Sequence, residues 1–92
     1  MKVTSDPAKR ENTLRERDLD LEVDSVEAFS GRTLTLLDDR FDYGEERFQT
    51  YGLVRDRLVM VVWTPRDGGR HVISMRHCHE KEARKVLPHL TS

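Results

Sequence analysis

Apolar and polar positions follow a helical period in the N-terminal part of the chain. Residues 7–17 are mostly strong helix formers, Asp6 is placed to cap a helix, and Pro7 suits its first position. The pattern therefore predicts a helix over residues 7–17. Ala8 and Leu14 are nearly its only apolar residues, so this helix is expected on the surface with a thin contact stripe.

A second, shorter helix is predicted around Val26. Leu21, Val26 and Phe29 recur at roughly helical spacing, and Ala28 adds to the same apolar group. Gly31 fits the position just past the end of such a helix, where glycine is favoured. Two helices are therefore expected before the first strand.

Beyond residue 32 the pattern changes to the alternation and the β-branched and aromatic content typical of strands. The links 55–56 and 65–69 are short, which favours antiparallel neighbours over crossover connections. The run 57–64 contains "LVMVV", which is apolar on both sides and is predicted to be the central strand. The predicted strands cover residues 33–38, 47–54, 57–64 and 70–75.

A charged helix over about residues 80–87 is predicted to follow the strands and to end before Pro88. This order predicts an α+β fold with two N-terminal helices, a four-stranded antiparallel meander sheet and a C-terminal helix, the helices packing on one sheet face. A chain of 92 residues has room for one modest core, so residues 1–92 are predicted to form a single domain.

Composition and charge narrow the possible partners. One cysteine cannot form an internal disulfide and no apolar run reaches the length of a membrane span, which predicts a soluble, cytoplasmic protein without membrane contact. The net charge of −1 hides an asymmetry, because residues 1–46 carry 7 basic and 13 acidic side chains whereas residues 47–92 carry 9 and 4. The basic half is expected to dock selectively to RNA, DNA or an acidic partner.

The segment "RHCHEKE" (76–82) places His77, Cys78 and His79 in succession. That spacing is poor for one tetrahedral ion, since on a strand only the two histidines share a face, so neither a metal nor another cofactor is predicted. Cys78 is expected to be buried at a strand end. Glu82 suits a helix start as well as it suits catalysis. Arg76 is read either as an anion-binding residue or as a solvated strand-end arginine.

The segment "DDRFDYGEERF" (38–48) also supports two interpretations. Its aspartates and glycine are ordinary for a hairpin connection. Its arginine, tyrosine and glutamate side chains could also provide acid–base chemistry on a phosphodiester without a metal ion, because RNA cleavage needs a base, a cation for the phosphorane and an acid.

The chain resembles the BrnT family, toxins of type II toxin–antitoxin systems. The resemblance rests on "DPAK" (6–9), "DDRFDYGEERF", Gly52, "RLVMVVWTPR" (57–66), "VISMR" (72–76) and Glu82, in the family's order. It implies a RelE-like ribonuclease fold, metal-independent cleavage of cellular RNA, and growth arrest. It also implies a BrnA-type ribbon-helix-helix antitoxin that neutralises the toxin in a hetero-oligomer and contacts the operator DNA. This antitoxin is expected to cover the basic cleft or sheet face.

The resemblance also implies functional positions. Arg76 and Arg66 are expected to stabilise the phosphate, and Glu46, His77 or His79 to transfer protons. The other positions carried over are Glu82 in the last motif and Lys9, Arg40 and Arg47 as RNA-binding residues.

Departures from the family pattern leave the mechanism open. Ser5 replaces a tryptophan, Thr13 replaces an asparagine, residues 16–18 read Glu-Arg-Asp in place of Lys-His-Gly, and His79 stands at a usual hydroxyl cap. The chain is therefore interpreted as a ribonuclease whose imidazole comes from His77 or His79, or as a degenerate toxin that only binds its antitoxin and regulates the operon. A metal-dependent enzyme at the two histidines is the weakest hypothesis.

Overall fold

A computed structural model describes residues 1–91 of the chain. Helices and strands form an α+β fold, as the pattern predicts. The predicted helix over residues 7–17 is confirmed, and the other predicted elements begin and end within a few residues of the observed ones. In chain order the elements are β1 (Val3–Ser5), α1 (Pro7–Arg17), α2 (Asp24–Ser30), β2 (Leu34–Leu37), β3 (Phe48–Val54), β4 (Arg57–Arg66), β5 (Gly69–His77), α3 (Glu80–Val86) and a 3-10 turn (Leu87–His89).

The sheet has five strands in the order β1-β5-β4-β3-β2 and is mixed. The four predicted strands, β2 to β5, form an antiparallel meander with β4 at the centre of the sheet, as predicted. The prediction of four strands is wrong, because β1 adds a fifth strand and makes the sheet mixed. β1 pairs in parallel with β5, with Val3 opposite Arg70 and Ser5 opposite Val72. A three-residue strand contains too little alternation to be recognised, and its pairing with a strand about 67 residues later is a non-local event.

Both faces of β4 are covered, because its side chains alternate between two cores. Val59 and Val61 pack with Ala28 and Phe29 of α2, together with Leu19 and Leu21 from the preceding segment. On the opposite face the neighbouring β4 residues pack with α3 and the C-terminal turn, so the expectation that all helices share one face is wrong. A strand that is apolar on both sides needs a cover on both sides. The buried residues of the second core are Leu58, Met60, Val62, Cys78 and Leu90, and Ala83 and Val86 pack against them.

α1 begins and ends by local chemistry. The Asp6 carboxylate accepts hydrogen bonds from the backbone N–H groups of Ala8 at 2.9 Å and Lys9 at 3.1 Å, which confirms the predicted cap. The helix has no buried residue, in agreement with its polar sequence. Asp18 ends it in the left-handed conformation, with φ 56° and ψ 38°. The Arg55 guanidinium donates to the Asp18 carbonyl at 3.0 Å, and this hydrogen bond joins the end of α1 to the turn between β3 and β4.

Asp18→Gly is expected to raise the free energy of unfolding by about 0.5–1 kcal/mol, because the left-handed conformation is strained for a residue with a Cβ. The carboxylate lost is 93% exposed and lies 4.0 Å from Arg55, so its ion pair contributes little. Urea denaturation measures the effect as a higher midpoint with an unchanged slope. Asp39→Gly is the control, because it removes the same charge at a residue whose φ is not positive. If Asp39→Gly raises the free energy of unfolding as much as Asp18→Gly does, relief of backbone strain is not the cause.

Candidate active site

A bidentate ion pair links the end of β5 to α3. The Arg76 guanidinium donates to both carboxylate oxygens of Glu82, through Nη1 at 2.7 Å and Nη2 at 2.9 Å. The hydrogen bonds from Arg76 lower the pKa of Glu82 to about 2, so the carboxylate is ionised at neutral pH. Arg76 remains 39% exposed. Its guanidinium is therefore held in one orientation while part of it faces solvent, as an anion-binding group requires.

The start of α3 positions Glu82. His79 caps the helix, with its Nδ1 accepting from the Glu82 backbone N–H at 3.3 Å. The Glu82 carboxylate does not return to the cap, as a capping box would require, but binds Arg76. In this arrangement His79 Nδ1 holds no proton, so a neutral His79 ring carries its proton on Nε2. The imidazole that the sequence suggested for proton transfer is thus used as a helix cap in place of the family's hydroxyl.

Tyr51 and Cys78 complete the surroundings of Glu82. The Tyr51 hydroxyl donates to Glu82 Oε2 at 3.4 Å, and burial raises the pKa of this phenol. Burial raises the pKa of Cys78 to about 12, so the thiol stays protonated. Cys78 is buried just past the end of β5, as predicted, and it belongs to the core that α3 covers. Sequence reasoning missed Tyr51 because its proximity depends on register: Tyr51 lies opposite Met60, which lies opposite Arg76.

A cleft of about 790 Å³ lies at this end of the sheet. It forms where α1 ends, where β3 turns into β4 and where β5 ends, three segments that are distant in sequence. Five arginines and two carboxylates contribute to its lining, so the lining carries an excess of positive charge. The lining residues are Arg15, Glu16, Arg17, Asp18, Val54, Arg55, Arg57, Arg76 and His77.

His77 lies across the end of α1. Its Nε2 is 3.1 Å from the Arg17 carbonyl oxygen, and since a carbonyl only accepts, Nε2 carries the proton. In the neutral ring the lone pair is then on Nδ1. Nδ1 is buried and has no hydrogen-bond partner among residues 1–91. The His77 ring stands beside Arg17. Arg17 occupies the sequence position where the family has the histidine of its Lys-His-Gly segment.

Arg66 and Glu46 lie at the opposite end of the sheet. Arg66 pairs with Gly69, whereas Arg76 pairs with Met60, six residues earlier on β4. At the usual rise of a strand the two arginines are about 20 Å apart along the sheet. Arg66 contacts Glu45, with Nη2 3.5 Å from Oε1, and Glu46 is exposed. The structure therefore does not bring Arg66 or Glu46 to the Arg76 site.

The arginines of the 38–48 loop are engaged in local ion pairs. Arg40 binds both oxygens of Asp38 at 2.8 Å and lowers the pKa of this carboxyl, which has no exposed surface, to about 2. Arg47 lies 3.1 Å from Glu45 and stacks over the Tyr43 ring at 3.9 Å. These contacts favour a structural role for the loop.

Lys9 lies exposed on α1 and does not line the cleft. Its neighbourhood includes His71, whose pKa is lowered by burial, by Arg66 and by Lys9 itself. Within residues 1–91, no group of three or more His, Cys, Asp or Glu side chains is arranged to hold a metal ion. No helix in this part of the chain is long and apolar enough to cross a lipid bilayer.

Comparison with known proteins agrees with the sequence motifs. The family model for "Ribonuclease toxin, BrnT, of type II toxin-antitoxin system" matches residues 6–82, a span that includes α1, the whole antiparallel part of the sheet and Glu82. No curated protein matches the chain. Because the matched span covers most of the 92 residues, the chain belongs to the BrnT family of ribonuclease toxins of type II toxin–antitoxin systems.

Proposed function

We propose that the chain is an endoribonuclease that cleaves cellular RNA without a metal ion, at the cleft beside Arg76. The observation that carries this proposal is the Arg76 guanidinium, oriented by both oxygens of Glu82 and exposed at the rim of a cleft lined by four further arginines. Family membership supports the same reaction class. The other end of the sheet is a weaker candidate, because Arg40, Arg47 and Arg66 pair with carboxylates of the 38–48 loop, whereas the Arg76 ion pair lies at a cleft that four further arginines line.

In the proposed reaction the RNA 2′-hydroxyl attacks the adjacent phosphorus. The products are a 2′,3′-cyclic phosphate and a 5′-hydroxyl, so the 2′-oxygen loses one proton and the 5′-oxygen gains one. Arg76 stabilises the charge that builds up on the phosphorane oxygens. Glu82 is ionised and cannot donate a proton. Its role is to position Arg76 before the substrate arrives.

His77 is assigned as the base that accepts the 2′-hydroxyl proton. It lines the same cleft as Arg76, and its bond to the Arg17 carbonyl places the lone pair on Nδ1. Nδ1 is covered in the free protein, so RNA binding must turn the ring or shift the end of α1. Alignment of a catalytic group only in the substrate complex is common.

The proposal includes growth arrest and neutralisation by a BrnA-type antitoxin. A neutraliser must block the phosphate site or hold it closed, so we propose that the antitoxin covers Arg76 and the cleft. A structure of the complex in which Arg76 is remote from the antitoxin and open to solvent contradicts steric blocking.

The test is RNA cleavage by the purified chain in excess EDTA. We expect cleavage with 2′,3′-cyclic phosphate ends, detected by mass spectrometry of the fragments, and growth arrest on induction that co-expression of the antitoxin relieves. A preparation of Arg76→Ala made in parallel controls for contaminating ribonucleases. Intact RNA with the wild-type chain, or cleavage that disappears in EDTA and returns with a divalent ion, contradicts the proposal.

A second function is favoured by the acidic residues in the cleft. Glu16 and Asp18 occupy positions where the family has lysine and glycine, and they reduce the positive charge next to His77. The Nδ1 atom of His77 is also buried, so it is not accessible to a substrate in the free protein. These two features fit a degenerate toxin that binds the antitoxin and regulates the operon. Stable co-purification with the antitoxin and no cleavage of RNA supports this function, and cleavage by the pure chain rejects it.

A further inference from the structure

We infer that the cleft beyond Arg76 is a subsite for the phosphate backbone of single-stranded RNA, with Arg57 and Arg17 as its phosphate-binding residues. The inference rests on the proposed function, because it takes RNA as the ligand, and it adds two residues to which the sequence motifs assigned no role. Arg17 ends α1 and Arg57 begins β4. Both side chains are exposed and line the cleft that Arg76 also lines.

Arg57 is the principal contact because its charge is uncompensated. Its guanidinium makes no hydrogen bond or ion pair with another of residues 1–91. Arg17 donates from Nη1 to the Met75 carbonyl at 2.8 Å, so it is anchored while its other N–H groups stay available. A carbonyl neutralises no charge, so both arginines present a full positive charge to the cleft.

Arg55 supports this subsite without being its main contact. Its Nη1 lies 3.1 Å from the Asp24 carboxylate, which is 11% exposed, and its Nη2 donates to the Asp18 carbonyl at 3.0 Å. These bonds tie the β3–β4 turn to the end of α1. They hold the two walls of the cleft, and therefore Arg57 and Arg17, in a fixed relation.

The lining favours a polyanion backbone over bases or an apolar peptide. Among the described residues the cleft lining contains no Phe, Tyr or Trp, and its one aromatic ring, that of His77, is bonded to the Arg17 carbonyl. Base stacking is therefore expected to contribute little. Its one aliphatic residue, Val54, is 2% exposed and offers little surface to an apolar anchor. Arginine forks match phosphate oxygens in geometry and charge. The subsite is therefore expected to bind RNA with little sequence preference and strong salt dependence.

The test uses an RNA decamer methylated at every 2′-oxygen, which cannot be cleaved by attack of its own hydroxyl. Fluorescence anisotropy of the labelled decamer gives Kd at several salt concentrations. Arg57→Gln is expected to raise Kd about fivefold at 100 mM salt, and to reduce the slope of log K against log salt by about 0.7, the value for one phosphate contact on a single strand. Adding Arg17→Gln is expected to reduce the slope by about 0.7 again.

Arg84→Gln is the matched control. Arg84 lies on α3 outside the cleft, is 73% exposed and pairs with Glu80, so its loss changes the net charge equally. This variant is expected to keep the wild-type Kd, slope and cleavage rate. Equal losses in Arg84→Gln and Arg57→Gln overturn the inference, because the effect then follows from net charge.

The outcomes separate the subsite from the proposed activity. Unchanged decamer binding by a folded Arg57→Gln overturns the subsite even when the wild-type chain cleaves RNA. Binding that depends on Arg57 supports the subsite even when the wild-type chain cleaves nothing, in which case the proposed activity alone fails. If Arg57→Gln binds the decamer normally but loses affinity for the antitoxin, the cleft receives a protein segment and the RNA subsite is rejected.

Discussion

Replacement of Arg76 by alanine is expected to lower the kcat of RNA cleavage by about 10²–10³-fold, the usual effect of removing one preorganised group that stabilises charge in the transition state. In this site the guanidinium is oriented before substrate binding by both oxygens of Glu82, so it needs no reorganisation when charge develops. Single-turnover cleavage of a short RNA by purified variants measures the effect.

Matched variants separate the guanidinium from its ion pair. Arg76→Lys keeps the charge but loses the planar guanidinium that binds both oxygens of Glu82. This variant is expected to recover only a small part of the wild-type cleavage rate. Arg76→Ala alone leaves a largely buried carboxylate without its partner, which can weaken folding. The double variant Arg76→Ala with Glu82→Gln removes that unpaired charge. A folded double variant that cleaves at the wild-type rate contradicts the assignment of Arg76.

Gly52→Ala is expected to lower the free energy of unfolding by about 3 kcal/mol, near the upper end of the usual cost of overpacking. A Cβ on Gly52 would lie 2.4 Å from the Ala28 carbonyl oxygen and 2.9 Å from its carbon, both of which are backbone atoms. α2 must therefore move away from β3, and the core that includes Phe29 loses contacts. Urea denaturation followed by circular dichroism measures the change.

Gly31→Ala provides a matched control for Gly52→Ala. It adds the same methyl group just past the end of α2, where nothing lies within 4 Å and φ is −99°. We expect its free energy of unfolding to change by less than about 0.5 kcal/mol. Similar midpoints for the two variants would show that α2 does not pack closely on β3. The comparison also explains why the family motif has glycine at position 52.

The elements that depend on local chemistry could be predicted from the sequence. The Asp6 cap and Pro7 define the start of α1, and the apolar run of β4 identifies the central strand. β1 was missed because its three residues form a strand only when β5 offers an edge. The position of α3 on the sheet face opposite α2 was also not predicted, because the sequence of α3 is too polar to show which face it packs on.

The candidate site divides in the same way. Arg76 and Glu82 were identified from the motif, and the structure joins them in one ion pair. Arg66 and Glu46 were grouped with them, but they lie at the other end of the sheet. Tyr51 and Arg57 were not identified, because their proximity to Arg76 follows from hairpin register and not from spacing in the chain.

The sequence by itself determined the family, the order of the elements and the chemistry of the last motif, because caps, periodicity and motif spacing act over a few residues. Only the tertiary structure decided which charges share a site. Most arginines of this chain lie beside carboxylates, and the fold determines which of them are neutralised and which remain available. Pairing across the sheet brings Arg17, Arg57 and Arg76 to one cleft. The same folding places Arg66 beside Glu45 at the other end of the sheet, whereas Arg40 and Arg47 pair with carboxylates only two residues away in the chain.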